Sequence, residues 1–251
     1  MVHPGLTLTH MWRYPIKGMP GQALPATTLA TDERLPGDRR HAFAESTAPL
    51  DFHRPAWLHK RHFAQYVRAP GMAAVAVDLQ DEHVTLRAPG HDGVSAHSDD
   101  PEGRLATWLA GVLGRPPDSL RFVRASSGGF TDDQRPFLSI LGAATMEALA
   151  GVGGRPVDPL RFRGNLLLDG LGPFGEFHLV GRTLTIGEVE IEVVERITRC
   201  VATTIEPATA ERNLEVPLLL RRHFGHNDCG VFARVVRGGR VEVGIEARLG
   251  S

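Results

Sequence analysis

Short apolar runs, broken at close intervals by glycine, proline or paired acids, set the pattern of this chain. Residues 6–14 read as a strand that stops at Pro15, since proline cannot continue a ladder in mid-sheet, and Gly18 permits the turn behind it. Residues 73–79 and 83–87 form two strands of a hairpin through Gln80-Asp81-Glu82, and the polar stretch that follows reads as a solvated loop. Leu105, Trp108, Leu109 and Val112 then fall at helical spacing behind the acidic start Asp99-Asp100-Pro101-Glu102. A strand at 120–124 leads to Ser126-Ser127-Gly128-Gly129, where a boundary falls.

The second half repeats the style. Residues 136–141 read as a strand and 143–151 as a short helix ended by Gly153-Gly154. Leu166 to Leu168 is a brief apolar run closed by Asp169-Gly170. Between residues 184 and 194, Ile186, Val189, Ile191 and Val193 alternate with polar neighbours, with Gly187 at a turn, which is the period of a half-buried strand. Residues 213–224 predict a short helix, and 230–237 with 239–249 predict a terminal hairpin through Arg237-Gly238-Gly239. The expected fold is mainly β with a few helices, of the α+β class, in two units at 1–125 and 126–251.

Composition sharpens this in three respects. A 42% hydrophobic content over 251 residues is ample for a sizeable core. Glycine and proline together make about 18% of the chain, above an average near 12%, which favours strands and turns over a helical bundle. The 28 Lys and Arg residues offset 29 Asp and Glu, a net charge of -1, so the whole-chain balance points to neither nucleic acid nor an anionic membrane as partner. No apolar run approaches the roughly 20 residues of a membrane span. The N-terminal stretch lacks a basic segment followed by an apolar one, so a reducing cytoplasm is the expected compartment. The two cysteines, Cys200 and Cys229, have no zinc-type spacing and are expected as free thiols.

The candidate chemistry lies around Arg163 and Asn165, at the head of one apolar run, and Thr198-Arg199-Cys200, at the tail of another. A guanidinium beside a cysteine favours the thiolate, the nucleophilic and metal-binding form. A lone cysteine is ordinarily just a small buried residue, so its company decides. Lys17 is expected on a loop at a strand end, Arg39 beside Asp38, and Asp132 at a turn. Residues 51–66 hold His53, His59 and His62, but no carboxylate or cysteine completes a metal set. Trp57, Lys60 and Phe63 instead suit a segment covering a pocket.

Taken together, Tyr14-Pro15-Ile16-Lys17-Gly18, Gly37-Asp38-Arg39-Arg40, Phe130-Thr131-Asp132, Phe162-Arg163-Gly164-Asn165 and Thr198-Arg199-Cys200 with Thr203-Thr204-Ile205-Glu206-Pro207 resemble the MOSC domain family, which includes amidoxime reductases. Three departures are visible. Gly164 replaces the usual proline, Glu206 the usual aspartate, and Glu33-Arg34-Leu35-Pro36 an expected Gly-Leu turn. The resemblance implies a MOSC-type β-barrel interlocked with an N-terminal β-rich domain and a bound molybdenum cofactor (molybdopterin). It makes Cys200 the metal ligand and catalytic residue and sets Asp132 in the substrate mouth. Lys17, Arg39, Arg163 and Arg199 would balance phosphate and metal-oxo charge, Asn165 would meet the pterin, and Thr198 would orient the cysteine loop.

The activity so implied is an oxidoreductase that reduces N-hydroxylated or N-oxide small molecules. No cysteine cluster for an iron–sulfur centre and no flavin or Gly-x-Gly-x-x-Gly nucleotide motif is present, so electrons are expected from a separate electron-transfer protein. The alternative is a sulfur-carrier module in cofactor maturation, with a persulfide on Cys200 and pyridoxal phosphate entering only through a partner desulfurase.

Overall fold

The computed structural model describes residues 5–250; the first four residues of the stretch read for a leader lie outside them. In the first half the elements are β1 (Leu6–Arg13), β2 (Gln22–Ala23), β3 (Ala26–Leu29), β4 (His41–Glu45), β5 (Ala76–Gln80), β6 (His83–Ala88), β7 (His91–His97), α1 (Arg104–Val112) and β8 (Leu120–Arg124). In the second they are β9 (Leu138–Gly142), α2 (Ala143–Gly153), β10 (Leu166–Asp169), β11 (Thr183–Ile186), β12 (Val189–Thr198), α3 (Val216–Leu219), β13 (Asp228–Arg237), β14 (Gly239–Glu242) and β15 (Glu246–Leu249).

Seven of these strands close a barrel in the order β10-β9-β13-β12-β11-β15-β1, and β1 pairs back onto β10. Its ladders are antiparallel except for β9 with β10. The alternation read in β12 places Val189, Ile191 and Val193 inside, against Val231, Ala233 and Val235 of β13 and Leu8 of β1. Each such valine, isoleucine or leucine contributes roughly 1.5–3 kcal/mol by leaving water. The strand that closes the barrel thus comes from the very start of the chain.

The rest of the first half packs beside the barrel. β4 pairs with β8, and β5, β6 and β7 form a small sheet that α1 covers with Leu105 and Leu109 over Val84 and Leu86. The acidic helix start works through Asp100, whose carboxylate accepts from the backbone N–H groups of Arg104 at 2.8 Å and Leu105 at 3.0 Å. Among the described residues, no helix is long and apolar enough to cross a membrane.

Two expectations are corrected. The polar stretch after β6 is not all loop, because His91–His97 forms β7. It is an edge strand with mostly exposed side chains and so lacks an apolar alternation to announce it. The terminal hairpin does not form either. Both sides of β13 are already paired, by β12 and β9, so β14 joins β3 and β15 joins β11 and β1.

The parallel contact between β9 and β10 is tight where the chain enters β10. A Cβ at Gly164 would lie 2.6 Å from Leu141 Cδ1 and 2.7 Å from Leu141 Cγ, and Leu141 is fully buried. Leu141 therefore fills the room that a larger residue at this position would need. Gly164→Ala is expected to destabilise by about 1–3 kcal/mol in urea denaturation. Adding Leu141→Ala should cost less than the sum of the two single changes, because it opens the same space. Strict additivity would show that the two residues do not compete.

Candidate active site

A cleft of about 780 Å³ opens where the end of β12 meets the loops after β1, before β4, before β9 and before β10. Lys17, Arg39, Asp132, Arg163, Asn165, Thr198, Arg199 and Cys200 all line it, although they lie up to 183 positions apart in sequence (200 − 17). A separate surface hollow at Gly153 to Asp158 holds none of them.

Lys17 is buried, and its ammonium donates to the Phe130 carbonyl at 2.7 Å and to Asp132 Oδ1 at 2.5 Å. Lys60 reaches Asp132 Oδ2 at 3.2 Å. These are the only two lysines in the chain, and both meet one carboxylate in the cleft wall. Burial lowers the Lys17 pKa to about 8; Asp132 opposes that shift, while Arg39 and Arg163 reinforce it. Burial works to raise the Asp132 pKa, but the two ammonium groups outweigh it and hold the carboxyl below its usual range. The covering segment supplies a wall, as Trp57 Nε1 donates to the Thr131 carbonyl at 2.7 Å.

Arg39 and Arg163 sit in left-handed backbone, at φ 49° and 54°, an unusual conformation for residues with side chains. Arg39 Nη2 donates to the Arg163 carbonyl at 3.0 Å, and its Nη1 pairs with Asp38. Both guanidinium groups lie over the Tyr14 ring, 4.4 Å and 4.3 Å from its centroid. Arg163 Nη1 donates to the Met19 carbonyl, whereas its buried Nη2 has no hydrogen-bond partner. Burial pulls the Arg163 pKa down, yet a guanidinium stays charged at any physiological pH.

Asn165, Thr198 and Arg199 reach the cleft wall with their polar groups largely committed. Asn165 Oδ1 accepts from the Ser139 N–H at 3.1 Å and the Ser139 hydroxyl at 2.9 Å, and Nδ2 donates to the Trp12 carbonyl at 3.2 Å. The Thr198 hydroxyl donates to Asp228 Oδ1 at 2.7 Å. Arg199 donates through Nε to the Cys229 carbonyl at 2.7 Å and through Nη1 to the Phe162 carbonyl at 2.8 Å. It therefore ties the cysteine segment to the turn before β10.

Cys200 is exposed, at the start of a 3-10 turn spanning Val201–Thr204. Its carbonyl accepts from the Thr203 hydroxyl at 2.9 Å, so the orienting threonine is Thr203 as well as the latch at Thr198. Arg161, which sequence reading passed over, holds the same turn from beneath. It is 1% exposed, donates to the Thr204 carbonyl at 3.2 Å and to Asn213 Oδ1 at 2.5 Å, and pairs with Glu206. The departure at Glu206 and the doubled arginine of Leu160-Arg161-Phe162-Arg163 were the available signals. Cys229 is buried, and burial pushes its thiol up to about 12, so it stays neutral. Among the described residues no group of three or more His, Cys, Asp or Glu side chains could hold a metal by itself.

In a lysine-labelled NMR titration, Lys17 is expected to titrate near pH 8, well below an exposed lysine. Asp132→Asn should lower it further, because the carboxylate is what raises it. Titration of Lys17 above pH 10 would show that its ammonium is solvated.

The MOSC domain profile matches residues 130–248 and the MOSC N-terminal beta barrel domain profile matches 5–116. The mouse mitochondrial amidoxime-reducing component 1 is 35% identical over 84% of this chain and 69% of its own length. The bovine mitochondrial amidoxime reducing component 2 is 23% identical over 84% of this chain and 70% of its own. The molybdenum cofactor sulfurase of Caenorhabditis elegans is 32% identical over 47% of this chain, which spans only 16% of that longer protein. Two adjoining family profiles and a relative matched across most of both chains place this protein in the MOSC domain family.

Proposed function

We propose that this chain binds a molybdenum cofactor and reduces N-hydroxylated or N-oxide small molecules with electrons from a separate donor protein. The observation that carries the reading is an exposed Cys200 at the edge of a cleft where eight Lys and Arg side chains face four Asp and Glu. Such an excess, with Arg163 Nη2 left without an acceptor, fits a ligand that is anionic. A soft thiolate suits a sulfur-rich metal centre. The residues present therefore fit the pterin cofactor to which the relatives' names point.

Lys17, Arg39 and Arg163 would hold the cofactor's anionic groups, and Cys200 would be the one protein ligand to the metal. Asn165, Thr198 and Arg199 would fix the pocket's shape around them, with Asp132 at the mouth. When bound, the cofactor supplies two-electron, oxygen-removing redox chemistry. Overall, R–NHOH, two electrons and two protons give R–NH2 and water, with the N–O bond broken. Lys17, buried with its pKa lowered to about 8, keeps its ammonium charge at neutral pH and would share it between the Asp132 carboxylate and a bound anion. The two free thiols fit a reducing compartment such as the cytoplasm.

The sulfur-carrier reading keeps one specific support, the likeness to molybdenum cofactor sulfurases combined with an exposed Cys200. Metal analysis separates the two. Protein from a host that makes the cofactor should carry about one molybdenum per chain by the proposed stoichiometry, and Cys200→Ala should lose most of it. Cys200→Ser should abolish reduction of a model amidoxime, since a hydroxyl is a poor substitute for the thiolate ligand. Arg163→Ala should weaken cofactor retention more than it lowers Tm. Folded wild-type protein without molybdenum, bearing a persulfide on Cys200 after incubation with a desulfurase, would overturn the reductase reading.

A further inference from the structure

The whole-chain charge balance hides a local asymmetry. Residues 52–77 contain no Asp or Glu, but they hold Arg54, Lys60, Arg61 and Arg68 as well as His53, His59 and His62. In the fold this segment lies against the chain that follows Cys200. Ala64 and Tyr66 share a core cluster with Ile205, with Ala202 and Ala210 packed against it. Arg212 spans the seam, donating through Nη2 to the Val67 carbonyl at 2.7 Å and through Nη1 to the Thr204 hydroxyl at 3.1 Å. Arg68 Nη1 donates to the Arg61 carbonyl at 3.2 Å.

Arg61, Arg68 and Arg212 are all exposed, and their hydrogen bonds go to neutral groups. Among the described residues none of the three pairs with a carboxylate, whereas Arg135, Arg234 and Arg248 each do. Glu206, the acid that follows the cysteine turn in sequence, is taken by Arg161. Arg61 and Arg68 adjoin Lys60 and Val67, which line the opening together with Cys200, and Arg212 is bonded to Val67, so three guanidinium groups without a carboxylate partner stand beside that opening. Beside them Val201 is 50% exposed, an apolar spot next to the cysteine.

We infer that this arginine face, Arg61 with Arg68 and Arg212, is the docking surface for an acidic one-electron carrier protein. The inference rests on the reductase reading, which requires a donor, and adds where that donor sits and what charge it bears. Electron-transfer encounters bury little surface, so charge complementarity rather than apolar contact sets their rate and orientation. A carrier seated here brings its redox centre to the mouth that holds Cys200. Two visits deliver two electrons; two protons come from solvent, and the substrate oxygen leaves as water. A membrane is the weaker occupant, because Phe63, Tyr66 and Met72 are buried and Trp57 is engaged in the cleft wall, which leaves Phe52 as a single exposed large apolar side chain of the segment.

The test compares wild-type protein with Arg61→Glu/Arg68→Glu and the neutral Arg61→Gln/Arg68→Gln, each with its Tm measured. Molybdenum-loaded protein is driven either by a reduced acidic [2Fe–2S] ferredoxin or by methyl viologen radical, a small cation that needs no docking face. Carrier-driven turnover of the wild type should fall about tenfold between 20 mM and 300 mM salt. It should fall by a similar factor in the charge-reversed variant at low salt and by less in the neutral one. Viologen-driven turnover should stay within about twofold in all three. In parallel, metal-free protein is titrated with oxidised ferredoxin by calorimetry, where binding should weaken with salt and in the charge-reversed variant.

Equal carrier rates in wild type and variants, equal ferredoxin affinities, or binding to phosphatidylserine vesicles in place of ferredoxin would overturn the docking surface. Loss of viologen-driven turnover in the wild type would instead count against the reductase reading, and the calorimetry would still decide the surface.

Discussion

The antiparallel pairing of β1 with β10 is the constraint from which the site follows. Its register sets Met11 opposite Leu166, so the loop that leaves β1 and the turn that enters β10 emerge at the same end of the barrel. Tyr14 and Lys17 come from the first, Phe162 and Arg163 from the second. The pairing is locked by side chains as well as ladder bonds, because the Asn165 amide bridges the Trp12 carbonyl of β1 and the Ser139 N–H of β9. A slip by one residue would turn the inward face of β1 outward and separate the two loops. Fold and site thus share one set of hydrogen bonds.

Around that end the chain accumulates positive charge at an energetic cost. Arg163 and Arg199 are half-buried, and their hydrogen bonds go to carbonyl oxygens rather than to carboxylates, with Nη2 of each left without a partner. Carbonyl acceptors offset part of the desolvation but leave the net charge in place. Stacking of Arg163 on Tyr14 and of Arg199 on Phe162 recovers more, since an aromatic face attracts a cation. The result is a pocket less stable than a neutral one would be and better suited to an anion. Asp132, held between the two lysines, is one of the four carboxylates that keep the cleft from being uniformly cationic.

The cysteine is handled differently from the arginines. Cys200 stands exposed on a short 3-10 turn outside the core, and that turn is held from below by buried Arg161, which pairs with Glu206. Arg161 belongs to the turn before β10, so its contacts tie the Cys200 turn to the segment that carries Arg163. The same contacts give Glu206 its place in the structure. Its carboxylate bridges to Arg161, which in turn contacts the cysteine turn through Thr204.

The sequence by itself determined what depends on local chemistry. Alternation in β12, proline after β1, Asp100 at the start of α1 and glycine after α2 are short-range signals, and the strands and helices they announced are present. Family-like motifs also marked eight residues that prove to share one cleft. Only the tertiary structure decided how the chain's ends are used. Residues 239–249 resemble a hairpin arm, yet β13 had no free edge, so they cross to β3, β11 and β1. It likewise decided which polar atoms stay free, because Asn165, Thr198 and Arg199 spend theirs on neighbours distant in sequence. Arg161 had only its place beside Arg163 to mark it among 26 arginines, and its burial against the cysteine turn is what gives it a role. Pairing partners and burial are set by competition among distant segments for the same edges and the same acceptors, and no local pattern encodes the outcome of that competition.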